Sequence, residues 1–161
     1  MDSIEVELKV LTECLKKKEQ ALKQIASITE NQGFVLTSGL THDEVYSFFM
    51  QMNAEKQDSI QRVLQCDQVF ENVLQKIGPV LDENPNMYVE QVHTLQDLIR
   101  AVMDLDVQIR VGEEENSKVL TAALTRIQSG EGTDKPEHIG SGEYGSNKII
   151  NAYKNQSRRR D

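Results

Sequence analysis

Apolar side chains in the first third of the chain recur at steps of three, four and seven: Ile4, Leu8, Leu11, Leu15, Leu22, Ile25 and Ile28, with Lys16, Lys17, Glu19 and Gln20 between them. That spacing puts them on one face of a 3.6-residue helix and predicts an amphipathic helix over residues 3–37. Ser38-Gly39-Leu40 breaks the period. Thr41-His42-Asp43-Glu44 then reads as a capping box, with Leu40 and Val45 placed as its hydrophobic staple. A second helix follows over 42–82, with Val45, Phe48, Phe49, Met52, Ile60, Val63, Cys66, Phe70, Val73, Leu74 and Ile77 on its stripe and Lys56 at an otherwise apolar position. Gly78-Pro79 predicts a kink or an end. With Asn84 as cap and Pro85 in the first turn, a third helix is predicted over 85–128. Its stripe runs Tyr88, Val92, Leu95, Leu98, Ile99, Val102, Leu105 and Ile109, then Asn116, Val119, Leu120, Ala123, Leu124 and Ile127.

At 1.5 Å per residue these helices are each about 50–65 Å long. Connections of a few residues make sequential helices antiparallel neighbours. The expected fold is therefore all-α, an elongated antiparallel three-helix bundle over 1–128, a rod with a flexible C-terminal tail over 129–161. A check is built into this geometry. Cys14 lies 23 residues before Thr37 and Cys66 lies 24 residues after His42, so a straight hairpin makes the two thiols neighbours.

Composition changes sharply after Gln128. Five of the nine glycines, Gly130, Gly132, Gly140, Gly142 and Gly145, fall there with Pro136, as expected of a flexible spacer. The segment from Ser129 carries five acids and six bases, whereas the preceding part carries 21 and 12, for a chain net of −8. That balance repels a phosphate backbone, and Arg158-Arg159-Arg160 are too few to reverse it, so nucleic acid is not an expected partner. Met1 to Val10 has no basic and apolar leader pattern, no apolar run approaches bilayer length, and the two cysteines form no secreted framework. A cytoplasmic protein without membrane insertion is the expectation.

Catalytic chemistry finds little footing. Glu90-x-x-His93 is half of a di-iron motif, but no second Glu-x-x-His exists, and the pair reads as surface. No nucleophile elbow or phosphate loop is present. The expectation is a protein that is not an enzyme, with no catalytic residue, no metal ligand and no cofactor. Glu113-Glu114-Glu115 reads as a solvated face. Of the dense patch at Phe48, Phe49, Met50 and Met52, the first, second and fourth share a face, whereas Met50 points away and is hard to bury. A thin core leaves a groove beside it, and flexible methionine suits such a groove, which makes Met50 a candidate contact for an amphipathic helix. The rival class is a structural coiled-coil adaptor or self-assembling spacer, which calls for strict heptads; Lys18, Lys56, Asp106, Glu113 and Asn116 interrupt them.

Leu11 to Ile25, then Gln96 to Ile109 followed by Glu115 to Leu120, and the ending Ser146-x-Lys148 with Ala152-Tyr153-Lys154-Asn155, resemble the flagellar export chaperones of the FlgN and FliT type, in particular Gram-positive members. The resemblance covers roughly residues 8–128 and 146–155. It implies a cytosolic antiparallel helical hairpin that holds hook-associated or filament-cap subunits, covering their amphipathic terminal helices until type III export. Carried over by position, it implies client contacts at Val119, Leu120, Ala123, Leu124 and Ile127, and at Ile149, Ile150 and Tyr153. The glycine-rich spacer and the arginine ending depart from the family pattern. They leave open whether the tail binds client, binds the export apparatus or folds back over the bundle, and pairing into a homodimer stays open too.

Overall fold

A computed structural model describes residues 2–128 of the chain. Three helices account for nearly all of them: α1 (Ser3–Leu36), α2 (His42–Glu83) and α3 (Val89–Gln128), with no strand among the described residues. The fold is all-α. The expected tail, with Ile149, Ile150 and Tyr153, lies outside the described residues.

The helix ends follow from local chemistry. Asp2 caps α1, its Oδ1 accepting the Glu5 N–H at 2.9 Å. That bond is the main reason the Asp2 carboxyl sits below its ordinary value. After Leu36 the chain tightens through Thr37 N–H to Phe34 O and Ser38 N–H to Val35 O. Gly39 then takes a positive φ of 79°, a left-handed conformation costly for any residue with a Cβ. The capping box forms as expected: the Glu44 N–H donates to Thr41 Oγ1 and the Thr41 N–H to Glu44 Oε1, each at 3.3 Å.

α2 ends at Glu83, one residue past the expected 82, and runs through Gly78-Pro79 rather than stopping there. Proline clashes with the Cβ of the residue before it, and Gly78 has none, which removes one of the obstacles to a proline inside the helix. Asn84 does not cap α3. Its Nδ2 donates back to Val80 O at 2.8 Å, closing the end of α2, and a turn brings the Met87 N–H to Asn84 O. α3 starts four residues later than expected, with Tyr88 O accepting the Val92 N–H.

The helices contribute to two compact units. The first holds α1 up to Gln24 and Ser59–Val107. In it Glu7 pairs with Lys76, Lys18 with Asp67, and Gln24 with Arg62. Partner numbers fall along α2 as they rise along α1, so the two are antiparallel. Tyr88 Oη donates to Asp2 Oδ2 at 3.0 Å and joins the starts of α1 and α3, which run parallel. Leu8, Leu11, Leu15, Ile77, Tyr88 and Leu95 form the core, with Ile4, Phe70, Val73, Leu81, Val92 and Leu98 against it. Fully burying each such leucine or isoleucine contributes about 1.5–3 kcal/mol.

The second unit comprises Ile25–Asp58 and α3 from Gln108. Phe49 and Leu120 pack here with Leu36, Tyr46 and Leu124. Beside this small apolar cluster the interior is polar. Lys56 is fully buried; its Nζ donates to Gln32 Oε1 at 2.6 Å and lies 3.6 Å from Glu113 Oε1. Gln32 Nε2 donates to Asn53 Oδ1 at 2.7 Å, and Asn116 Nδ2 to Thr29 O at 3.0 Å. Glu113 is thus not part of a solvated acidic face: Glu114 and Glu115 are exposed, but Glu113 sits three residues before the buried Asn116 and is turned inward. Lys56 is the counter-charge that makes this burial tolerable.

Candidate functional site

The expected client contacts on α3 fall in the second unit. Leu120 is buried against Phe49 and Leu124 packs on the same cluster, while Val119 and Ala123 are half-buried. Ile127 lies in the last turn of α3. Leu120 is therefore committed to the core rather than held ready for a partner. Met50 is half-buried too, its Sδ 4.0 Å from Asn53 Nδ2. The reason is that the interior stripe of α2 runs Phe49, Asn53, Lys56, Ile60; Met50 lies one turn before Asn53 and leans toward the same side. Phe48 falls outside that stripe, 44% exposed.

An open apolar cleft does exist, in the first unit. It has a volume of 250 Å³. α1 supplies Cys14 and Leu15 to its wall, α2 supplies Cys66 and Phe70, and α3 supplies Ile99, Val102 and Met103. The Lys18–Asp67 ion pair, at 2.6 Å, forms part of its lining. All three helices thus converge on one trough. Val102 is buried, but Ile99 is 37% exposed and Met103 61%. With Val107, 59% exposed, Ile99 and Met103 form an apolar ridge at steps of four along α3, offset from the core positions Leu95 and Val102. The signal was present in the sequence, since Met103 and Val107 are apolar residues that the core stripe does not use.

Cys14 and Cys66 meet at this cleft as free thiols, as the hairpin geometry requires. Burial pushes both thiols above their ordinary value. The neighbouring Cys66 adds to the rise at Cys14, and Asp67 adds to the rise at Cys66, against smaller opposing effects of Lys17 on both and Lys18 on Cys66. These are sluggish thiols lining a wall rather than activated nucleophiles.

Glu90 and His93 are both exposed on α3. Among the described residues no group of three or more His, Cys, Asp or Glu side chains is placed to hold a metal ion. No described helix is long and apolar enough to cross a membrane. Fold and cleft together define a three-helix bundle with an apolar trough on one unit. Comparison with protein-family models, with curated proteins and with solved structures finds no match to this chain.

Proposed function

We propose that this protein is an export chaperone of the flagellar type III kind, holding an amphipathic terminal helix of a hook-associated or filament-cap subunit until it is exported. The observation that carries the reading is the apolar trough walled by α1, α2 and α3, with Met103 and Ile99 exposed at its edge. An amphipathic helix presents anchors at steps of three and four, and a trough flanked by a ridge at steps of four receives such a face. Methionine adapts its shape to more than one sequence, which suits a holder of several subunits. The client site thereby moves from the end of α3, where Leu120 serves the core, to the Ile99–Met103–Val107 ridge.

The test is calorimetric titration of the full chain with the purified C-terminal region of a hook-associated subunit, and separately of a filament-cap subunit. Saturable binding at 1:1 is expected, one client helix to the trough. If neither subunit binds, the reading fails.

A second reading, a coiled-coil adaptor, is supported by a specific feature. Leu8, Leu11, Leu15, Lys18, Leu22, Ile25, Thr29, Gln32 and Leu36 alternate at steps of three and four without a break along α1. The positions that interrupt apolarity carry partnered polar groups, Lys18 with Asp67 and Gln32 with Lys56. They do not argue for an adaptable binder; they set which residues face each other within the chain. An adaptor should bind neither flagellar subunit in the same titration.

A further inference from the structure

A second concavity in the first unit, of 380 Å³, lies between α1 and α2. Lys16, Lys17 and Arg62 line it with the glutamines Gln20, Gln24 and Gln65, and no acidic residue is among its lining. In a chain with 26 acids and 18 bases three cations lining one groove without an acid among them are anomalous. Lys16 is 3.9 Å from Glu13, an exposed contact of little strength. Among the described residues Lys17 and Arg62 have no carboxylate within ion-pairing distance. The glutamines are partly arranged already: Gln24 Oε1 accepts from Ser59 Oγ at 3.1 Å and from Arg62 Nη1 at 3.2 Å. That leaves the Gln24 Nε2 donors, and the remaining N–H groups of the Arg62 fork, for a ligand.

We infer that this groove binds an acidic stretch of a partner polypeptide, its carboxylates meeting Lys16, Lys17 and Arg62 and its peptide groups meeting the glutamine amides. Charge complementarity selects the class. A carboxylate-bearing peptide presents sparse anions that match three cations, and amide donors and acceptors match a peptide backbone. A nucleic acid is the poorer fit. It brings closely spaced phosphates toward a molecule of net charge −8, and the groove lining holds no aromatic side chain on which a base could stack. The groove differs from the apolar trough in the charged heads and amides that line it, though Cys66 lines both. The inference therefore does not depend on the chaperone reading.

The experiment uses the full chain and a fluorescein-labelled decapeptide of alternating Glu and Ser, with a Gln/Ser decapeptide and a single-stranded deoxythymidine decamer as comparators. Anisotropy at low salt should show saturable binding of the Glu/Ser peptide, weakening as salt rises, and little binding of either comparator. Lys17→Glu with Arg62→Glu should weaken it about ten-fold or more. Lys9→Glu with Lys118→Glu, the same change in net charge at exposed positions elsewhere, should alter it less than about two-fold. In Cys14→Ser protein, bound Glu/Ser peptide should also slow alkylation of Cys66. Failure of the Glu/Ser peptide to bind, equal binding of the Gln/Ser peptide, equal loss in the two charge-reversed proteins, or tighter binding of the deoxythymidine decamer would each overturn the inference. Because the chaperone titration reads a different cleft with different clients, either result can fail while the other stands.

Discussion

Lys56 Nζ donates a 2.6 Å hydrogen bond to Gln32 Oε1 in a place where neither side chain meets solvent. A buried ammonium survives only with compensation, which Gln32 and Glu113, 3.6 Å away, provide together. The bond joins α1 to α2 and the ion pair joins α2 to α3, so one lysine ties all three helices of the second unit.

Removing one partner should therefore cost far more than removing both. Glu113→Leu leaves Lys56 buried beside a hydrocarbon and is expected to lose about 3–5 kcal/mol. Lys56→Met with Glu113→Leu should recover most of that loss, because no charge is left stranded. Urea unfolding of the two proteins, completed as a double-mutant cycle with Lys56→Met, measures the coupling. Additive losses would show that the pair does not act as one.

Glycines 33 and 112 mark a close approach of α1 and α3 in the same unit. A Cβ at Gly33 would lie 2.9 Å from Asn116 Oδ1, and one at Gly112 would lie 3.1 Å from Thr29 Cγ2. Both neighbours are held in place, Asn116 by its bond to Thr29 O and Thr29 by its hydroxyl bond to Ile25 O at 2.8 Å. Alanine in a helix ordinarily gains about 1 kcal/mol over glycine. Here Gly33→Ala should instead lose about 1–2 kcal/mol through crowding and a disturbed buried hydrogen bond. A raised midpoint in urea would refute the close contact.

The cleft thiols have a pH signature. Their folded values are raised above the ordinary thiol value, chiefly by burial, so the folded state keeps its protons to higher pH than the unfolded chain does. The contribution to stability is fully present below the unfolded thiol value of about 8.5 and is lost as pH climbs through the raised values. Iodoacetamide should modify both cysteines more slowly than free cysteine at neutral pH, with rates still rising past pH 9. Replacing Cys66 by serine should speed modification of Cys14, since part of the elevation at Cys14 comes from Cys66. Rates that level off below pH 9 would contradict this.

Met103 separates binding from folding. Its side chain is 61% exposed, so Met103→Lys should change unfolding free energy by less than about 0.5 kcal/mol. On the chaperone reading the same change should weaken subunit binding about ten-fold or more, by placing an ammonium on an apolar ridge. Leu120→Ala is the contrast. It opens a hole against Phe49 and should cost about 2–5 kcal/mol in stability.

Much of the fold was legible from spacing alone. The leucines of α1 and the Thr41–Glu44 box needed no tertiary context, because a helix face and a capping box are made by residues within a few positions of each other. The meeting of Cys14 and Cys66 followed from helix length and one tight turn. The start of α3 was not legible, because Asn84 can cap either of two helices and its bond to Val80 O commits it to the end of α2.

Tertiary structure alone decided what the polar interruptions mean. In the sequence Lys56 is a blemish on an apolar stripe and Glu113 is one of three glutamates; which of them turn inward depends on partners 57 positions apart reaching the same level. It likewise decided that Leu120 fills a core while Met103 stays 61% exposed beside the trough. Periodicity reports which side of a helix is apolar, but it cannot count how many neighbours cover that side. Burial is a property of the assembled helices, and the surplus apolar residues they fail to cover are known only once they have packed.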